Sequence, residues 1–370
     1  MLNLIRYGGV VAGDPEIAAA VGVLSGQEWA CGPKTAEFEN AAAGLHGSAH
    51  AVFVNSGSSA LLACMCLLPR GARVAMPALQ FPTLYSAALW CGLRPVLVDV
   101  DDTLNMDPRL LEAAAPKLDA AAFVHMAGNP ANIRDVAAVC DSFSLPLIED
   151  ICEAFGATAG GVDAGRFGLA SATSTHAAHQ ISTGEGGLAF TSDEVAYARM
   201  RRVRDWGRAH GTADLDGYYP GYVFTDVGLN LHATDIQAAV GIVQLGRLDG
   251  FVAARKANYE FLAAKTAGLP VELPRTEPDT EPSWYTFPVI CRTRDERDDL
   301  ASYLGRRGIE SRPVVAGNMA RQPLAKHFAA GEFPVADKVF RRGLWVSVHP
   351  GLSGDDLGRI ADAFTSYYGR

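Results

Sequence analysis

Residues 174–187, STHAAHQISTGEGG, set two histidines, His176 and His179, ahead of the turn Glu185-Gly186-Gly187, with no lysine among them. An imidazole changes protonation near neutral pH, so His179, six residues before Glu185, is a candidate proton carrier as well as a candidate structural histidine. Three other stretches offer matching chemistry. In NSGSSA (55–60), Gly57, Ser58 and Ser59 lie between a strand and a helix. There, main-chain N–H groups and hydroxyls face an anion such as a phosphate, or a serine simply caps the helix. LIEDICEAFGA (147–157) ends a buried strand on Asp150, with Glu153 three residues on. The Asp150 carboxylate suits an ion pair with a protonated pyridine nitrogen, and a helix cap is the alternative. Adjacent Glu149 is read as structural. Phe81, in LQFPTLYS (79–86), follows a further strand and either stacks on a planar cofactor ring or fills core. Ser174 adds a possible phosphate contact. Together, a phosphate cradle, a carboxylate, an aromatic ring and a histidine describe a pyridoxal-type site.

Such a site needs strand ends to hold it, and the chain supplies them. From residue 50, short apolar runs alternate with helical patterns: AVFVNSG, ARVAMPA, RPVLVDV, AAFVHM and LPLIED read as strands separated by helices. Nearly continuous apolar strands of this kind predict a mainly parallel sheet covered on both faces, with ligands beyond the carboxyl ends of the strands. LASATST and GGLAFTS are two further strands flanking the histidine segment. DEVAYARMRRVRDWG is a charged helix, and residues 210–228 form a long Gly/Tyr/Asp-rich loop. Residues 233–265 read as a long helical stretch with Thr234 as N-cap, in which Gly241, Gly246 and Gly250 predict close packing or a break. GLPVELPRTEPDTEPSW (268–284) is a linker, and beyond it TFPVICRT, RDERDDLASYLGRRG, IESRPVV, LWVSVHP and GDDLGRIADAFTSYY describe a small α+β domain. The expected division is a large cofactor-binding α/β domain over 1–248 and a small domain over 249–370, with the N-terminal segment free to pack on the latter.

With 370 residues, 49% hydrophobic and 20% charged, the chain has the composition of a globular enzyme. Its net charge of −9 argues against nucleic acid or an anionic membrane as the main partner. No apolar run suits a signal peptide or a membrane span, so the cytoplasm is the expected compartment. The seven cysteines contain no CxxC pair, and Cys291 is the only one after Cys152. A disulfide framework, a metal site or a four-cysteine iron–sulfur cluster is therefore not expected.

With these residues in view, the chain resembles the DegT/DnrJ/EryC1/StrS family of sugar aminotransferases. The resemblance runs through SGQEWACGPKTAEFEN (25–40), VNSGSSAL (54–61), IEDICEAFGA (148–157), TGEGGLAFTSD (183–193) and LNLHATDIQAAVGIVQL (229–245). It implies a fold-type I PLP-dependent transferase: an α/β large domain with a mainly parallel sheet of the seven-stranded type, plus a small C-terminal α+β domain. In aminotransferases of the family a lysine that binds the cofactor covalently stands six residues before the glutamate of the EGG turn. Here that residue is His179, and the six lysines (34, 117, 256, 265, 326 and 338) lie elsewhere. The replacement is similar to the lysine-less branch, the pyridoxamine phosphate (PMP)-dependent 3-dehydratases of GDP- or CDP-linked 4-keto-6-deoxyhexoses. Glu153 in place of the usual glutamine, AGNPAN (127–132), EPSWYTF (281–287) and RPVVAGNMARQP (312–323) resemble that branch as well.

The resemblance implies a division of labour. The PMP amine meets the C4 ketone, His179 moves a proton at C4′, Asp150 keeps the ring nitrogen protonated, and the C3 hydroxyl leaves. L-Glutamate then converts PLP back to PMP. Glu153 is placed beside the ring hydroxyl. Gly57, Ser58, Ser174 and, from the partner subunit of a homodimer, Asn230 hold the phosphate. Without an iron–sulfur cluster the reaction is expected to be redox-neutral. The loop HGTADLDGYYP (210–220) is expected over the substrate. His176, where the branch usually shows an aromatic residue, has no assigned role, nor have Gln180, His210 and His349. The competing readings are a PLP-dependent sugar-nucleotide aminotransferase that tolerates the histidine or recruits a distant lysine, and a non-catalytic relative that binds cofactor or sugar nucleotide.

Overall fold

A single seven-stranded sheet forms the centre of the computed structural model, which describes residues 4–209, 218–219, 221–325 and 331–369. Its strands are β1 (His50–Val54), β2 (Arg73–Pro77), β3 (Arg94–Val98), β4 (Ala120–Val124), β5 (Leu147–Asp150), β8 (Ala170–Ser174) and β9 (Gly187–Thr191); a short hairpin, β6 (Thr158–Ala159) and β7 (Val162–Asp163), intervenes. The order is β1-β9-β8-β5-β4-β2-β3. Every pairing is parallel except those of β9, which runs antiparallel to both β1 and β8. Strands β4, β5, β8 and β9 are buried along their whole length, which is why β4, β8 and β9 are apolar or small on both faces, while β5 ends on two buried acids, Glu149 and Asp150.

Helices cover the sheet: α1 (Asp14–Leu24), α2 (Pro33–His46), α3 (Gly57–Met65), α4 (Pro82–Trp90), α5 (Pro108–Ala114), α6 (Ile133–Phe143), α7 (Glu194–Arg204) and α8 (Asp235–Leu245). Thr234 caps α8 as expected, accepting from the Gln237 N–H while the Gln237 side chain answers the Thr234 N–H. The long helical stretch is broken, one of the two outcomes expected of its glycines: α8 ends at Leu245 and α9 (Leu248–Thr266) begins after Gly246 and Arg247. Gly241 has the other role anticipated for these glycines: a Cβ there would stand 2.6 Å from the Phe38 ring. Gly250 has open space around it and neither packs closely nor breaks the helix.

Beyond α9, β10 (Thr280–Glu281) pairs with β6 and leads into the sheet β11-β13-β12, formed by β11 (Thr286–Ile290), β12 (Ser311–Arg312) and β13 (Gly343–Ser347). Helices α10 (Arg294–Arg306), α11 (Pro334–Arg342) and α12 (Gly354–Tyr368) complete this region. Its core joins Tyr259, Leu262, Phe287, Leu300 and Phe364 to Ile5 from the other end of the chain. Ile5 bridges Ile309, and His349 Nε2 donates to the Gly9 carbonyl, so the N-terminal segment is laid against this second core. The segment expected as a linker is tied to the large domain: Arg275 exchanges main-chain and side-chain contacts with Asp102, and Asn129 donates to the Arg275 carbonyl at 2.9 Å. Of the loop expected over the substrate, residues 210–217 and 220, including His210, lie outside the described residues. No helix among the described residues is long and apolar enough to cross a membrane.

Candidate active site

The carboxyl ends of β1, β5 and β8 open on one cavity of about 570 Å³, lined as well by Tyr285, Arg312, Pro313, Val315 and Trp345 from the C-terminal part of the chain. Each strand delivers one part of the site. After β1 the chain turns into α3, with Ser56 as N-cap accepting from the Ser59 N–H at 3.1 Å. Ser56, Gly57 and Ser58 line the cavity at this helix start, where free N–H groups and the helix dipole favour an anion. Ser174, the last residue of β8, faces the same corner. Gly57 is required there, because a Cβ would come within 2.6 Å of Ser174 Cβ. Gly187 is equally constrained, 2.5 Å from the Ser56 carbonyl. The cradle is thus built by three backbones approaching more closely than side chains permit.

Asp150 ends β5, is 9% exposed, and accepts the Cys152 N–H at 3.0 Å. Burial pushes its carboxyl above the usual range, against the pull of Cys152 and His125. A cation delivered with a ligand would complete a buried acid of this kind. Glu153 also lines the cavity and accepts the Ala127 N–H at 2.6 Å. Burial, helped by the Asp150 charge, raises it to about 8 against the pull of the Ala127 N–H, so it carries a proton at neutral pH. Phe81 is the N-cap of α4, and its ring, 61% exposed, forms part of the cavity wall.

His179 sits in the loop between β8 and β9 and lines the cavity with Asp150 and Glu153. Burial, followed by the neighbouring His176 and, more weakly, Arg255, lowers its imidazole to about 3, with the Cys152 backbone opposing. Both Glu153 and His179 keep an edge open to the cavity. His179 therefore stands neutral, able to accept a proton, and its Nδ1 is buried without a partner among the described residues. Its ring lies 5.0 Å from that of Tyr285, nearly parallel.

The structure brings Gly57, Ser58, Phe81, Asp150, Glu153, Ser174 and His179 to one cavity. Asn230 is absent from its lining: the residue is exposed, and its Oδ1 accepts the His232 N–H at 3.3 Å. Of the unassigned residues, His176 lines the cavity mouth. Gln180 is structural, donating to the Glu153 carbonyl and to Ser283 Oγ. His349 ties down the N-terminal segment. Glu149 is structural as expected, gathering the N–H groups of Gly165, Phe167 and Gly168 and the ring of His125.

Sequence reasoning missed several contributors. Tyr7, Tyr285 and Trp345 form one aromatic wall, with Tyr7 brought from the N-terminal segment. Arg255, on α9 and 1% exposed, donates to the carbonyls of Ala178 and His179 at 3.2 and 3.1 Å and of Tyr285 at 2.9 Å. It fixes the main chain that carries His179. None of the described lysines lines the cavity. A second, larger cavity of about 750 Å³ lies between α1, α2 and α8; of its two carboxylates, Glu28 and Asp235, the second is already engaged by the N–H groups of Gly32, Lys34 and Thr35.

The residues present fit a pyridoxamine-type cofactor: an anion cradle, a buried acid for a ring nitrogen, an open aromatic face, and an unsatisfied buried imidazole nitrogen. Comparison with known proteins points the same way. The model of the DegT/DnrJ/EryC1/StrS aminotransferase family matches residues 12–365. The dTDP-4-dehydro-2,6-dideoxy-D-glucose 3-dehydratase of Saccharopolyspora spinosa is 32% identical, over 98% of this chain and 86% of its own length. The GDP-perosamine synthase of Caulobacter vibrioides is 34% identical, over 88% of each chain. A solved structure of the E. coli GDP-4-keto-6-deoxy-D-mannose-3-dehydratase with bound hydrated PLP superimposes with a TM-score of 0.91 at 29% identity, covering 98% of this chain and 100% of that one.

Proposed function

This chain belongs to the DegT/DnrJ/EryC1/StrS aminotransferase family, a PLP-dependent family with the fold-type I architecture, and from that premise we propose that it is a PMP-dependent 3-dehydratase of a nucleotide-linked 4-keto-6-deoxyhexose. One observation carries the reading: an uncharged imidazole, His179, shares the cavity with Asp150, and no described lysine lines it. An imidazole forms no stable covalent link to an aldehyde, so the cofactor is held by non-covalent contacts alone.

When bound, PMP supplies an amine for the sugar's ketone and a ring that accepts electrons. Ser56, Gly57, Ser58 and Ser174 hold its phosphate, and Asn230 of a second copy adds to that cradle in a homodimer. Asp150 keeps a proton on the ring nitrogen, and Phe81 covers a ring face. Glu153, carrying its own proton, donates a hydrogen bond to the ring hydroxyl. His179 takes a proton at C4′ and passes it to the departing C3 hydroxyl, which leaves as water. Arg255 and Tyr285 keep the imidazole in place while it does so. L-Glutamate restores the amine in a second half-reaction.

Incubation of the protein with PLP, L-glutamate and a panel of GDP-, CDP- and dTDP-linked 4-keto-6-deoxyhexoses tests the reading by mass spectrometry. A 3-deoxy-4-keto product is expected. A sugar aminated at C4 would transfer the protein to the aminotransferase reading, which the GDP-perosamine synthase relative favours. So would a borohydride-fixed link between PLP and any lysine.

A further inference from the structure

Among the cavity residues that the mechanism leaves unused are His176 and Glu185. Their backbones are held together: residue 176 bridges Gly184 across the loop, and the His176 N–H donates to Ser174 Oγ at 3.2 Å. The Glu185 carbonyl accepts from Thr183 Oγ1 at 2.7 Å and Gln237 Nε2 at 2.6 Å. The side chains are not tied up in the same way. His176 Nδ1 accepts the Ala178 N–H at 3.4 Å, which leaves the ring proton on Nε2. That Nε2 faces Glu185 Oε1 across 4.0 Å, with the two side chains 50% and 66% exposed at the cavity mouth.

A gap of 4.0 Å is too long for a direct hydrogen bond and suits one bridging oxygen. An oxygen about 2.8 Å from each atom subtends an angle of roughly 90° between them, within what a hydroxyl accepts when it takes one hydrogen bond and gives another. The pair presents one donor, Nε2–H, and one acceptor, the carboxylate. A hydroxyl group answers both at once; a ketone or a methyl group does not.

We infer that His176 and Glu185 form a hydroxyl-recognition subsite that selects a sugar retaining its C2 hydroxyl. The choice of C2 rests on the proposed reaction. In a nucleotide-linked 4-keto-6-deoxyhexose, C1 carries the nucleotide, C4 is the ketone, C5 holds the ring oxygen, C6 is a methyl group, and the C3 hydroxyl departs. Of the hexose's own hydroxyls, the one at C2 is the only one that survives to be held.

The test measures binding. His179→Asn protein loaded with PMP is titrated calorimetrically with a 4-keto-6-deoxyhexose and its 2-deoxy counterpart, both carrying whichever of GDP, CDP or dTDP binds tightest. The hydroxylated sugar is expected to bind about tenfold tighter, the worth of one well-placed hydrogen-bonding pair at a half-open site. Adding His176→Phe or Glu185→Gln is expected to bring the two sugars within about twofold of each other, chiefly by weakening the hydroxylated one. Two independent substitutions keep the test usable if one misfolds. No preference in the parent, or an undiminished preference in both variants, overturns the inference. Loss of preference in these variants without a 3-deoxy product from unmutated protein would leave the subsite standing and remove the dehydratase reading.

Discussion

Burial acts on Glu153 and His179 in opposite directions, holding a proton on the first and keeping one off the second. That division supplies a hydrogen-bond donor and a base within one cavity at neutral pH. His179→Asn removes the base while keeping a polar side chain of similar reach. Turnover is expected to fall by about 10²- to 10⁴-fold with PMP affinity little changed, as read by product formation and by absorbance titration of the cofactor. Glu153 also makes a prediction for stability. Its carboxyl rises from 4.5 unfolded to about 8 folded, so between those values the folded protein binds more protons than the unfolded one. The melting temperature of cofactor-free protein should therefore decline as pH rises through that window, and Glu153→Gln should flatten the decline. Parallel melting curves for the two proteins would refute the assignment. Asp150, Glu153, Ser174 and His179 were legible in the sequence because polar groups at the ends of apolar strands stand out. Tyr7, Tyr285 and Arg255 were not: aromatic residues and an arginine within apolar patterns look like core and surface until the fold brings residue 7 beside residue 285.

At the level of elements, the site depends on how closely α3 approaches β8. A methyl group on Gly57 meets Ser174 Cβ at 2.6 Å and Cα at 3.1 Å, so neither a rotamer change nor a small side-chain shift relieves the contact. Gly57→Ala is expected to cost about 1–3 kcal/mol of stability, as overpacking of a rigid contact does. It should also weaken PMP binding more than Phe81→Ala does, because it displaces the helix start that carries the cradle. Thermal melts and cofactor titrations of the two variants decide the matter. The strands around this contact could be read directly, since parallel strands buried on both faces leave apolar runs. The break between α8 and α9 was legible only as a choice, because glycine weakens a helix and also admits a close neighbour. Gly246 does the first and Gly241, against Phe38, the second. The tethering of residues 275–281 was not legible, because it is made by Asp102, Asn129 and β6, all far away in sequence.

At the scale of the whole molecule, Asn230 raises the question of assembly. It is exposed and stands outside the cavity of its own chain, among the exposed apolar residues Tyr222, Phe224, Val227 and Leu229. Exposed apolar side chains recurring along one segment suit a protein contact. In the proposed homodimer they pack against a second copy, and each Asn230 completes the phosphate cradle of the other. Mixed dimers test this arrangement. His179→Asn and Asn230→Ala subunits, each poorly active alone, are unfolded together and refolded so that they assort at random. With shared sites, a mixed dimer has one site carrying both changes and one carrying neither. Half of the dimers then hold one intact site, and activity should recover to about a quarter of the unmutated value. If each chain uses its own Asn230, every site retains one of the two changes and mixing restores nothing. Recovery thus depends only on which subunit reaches across, and it is independent of which nucleotide or hexose the cavity takes.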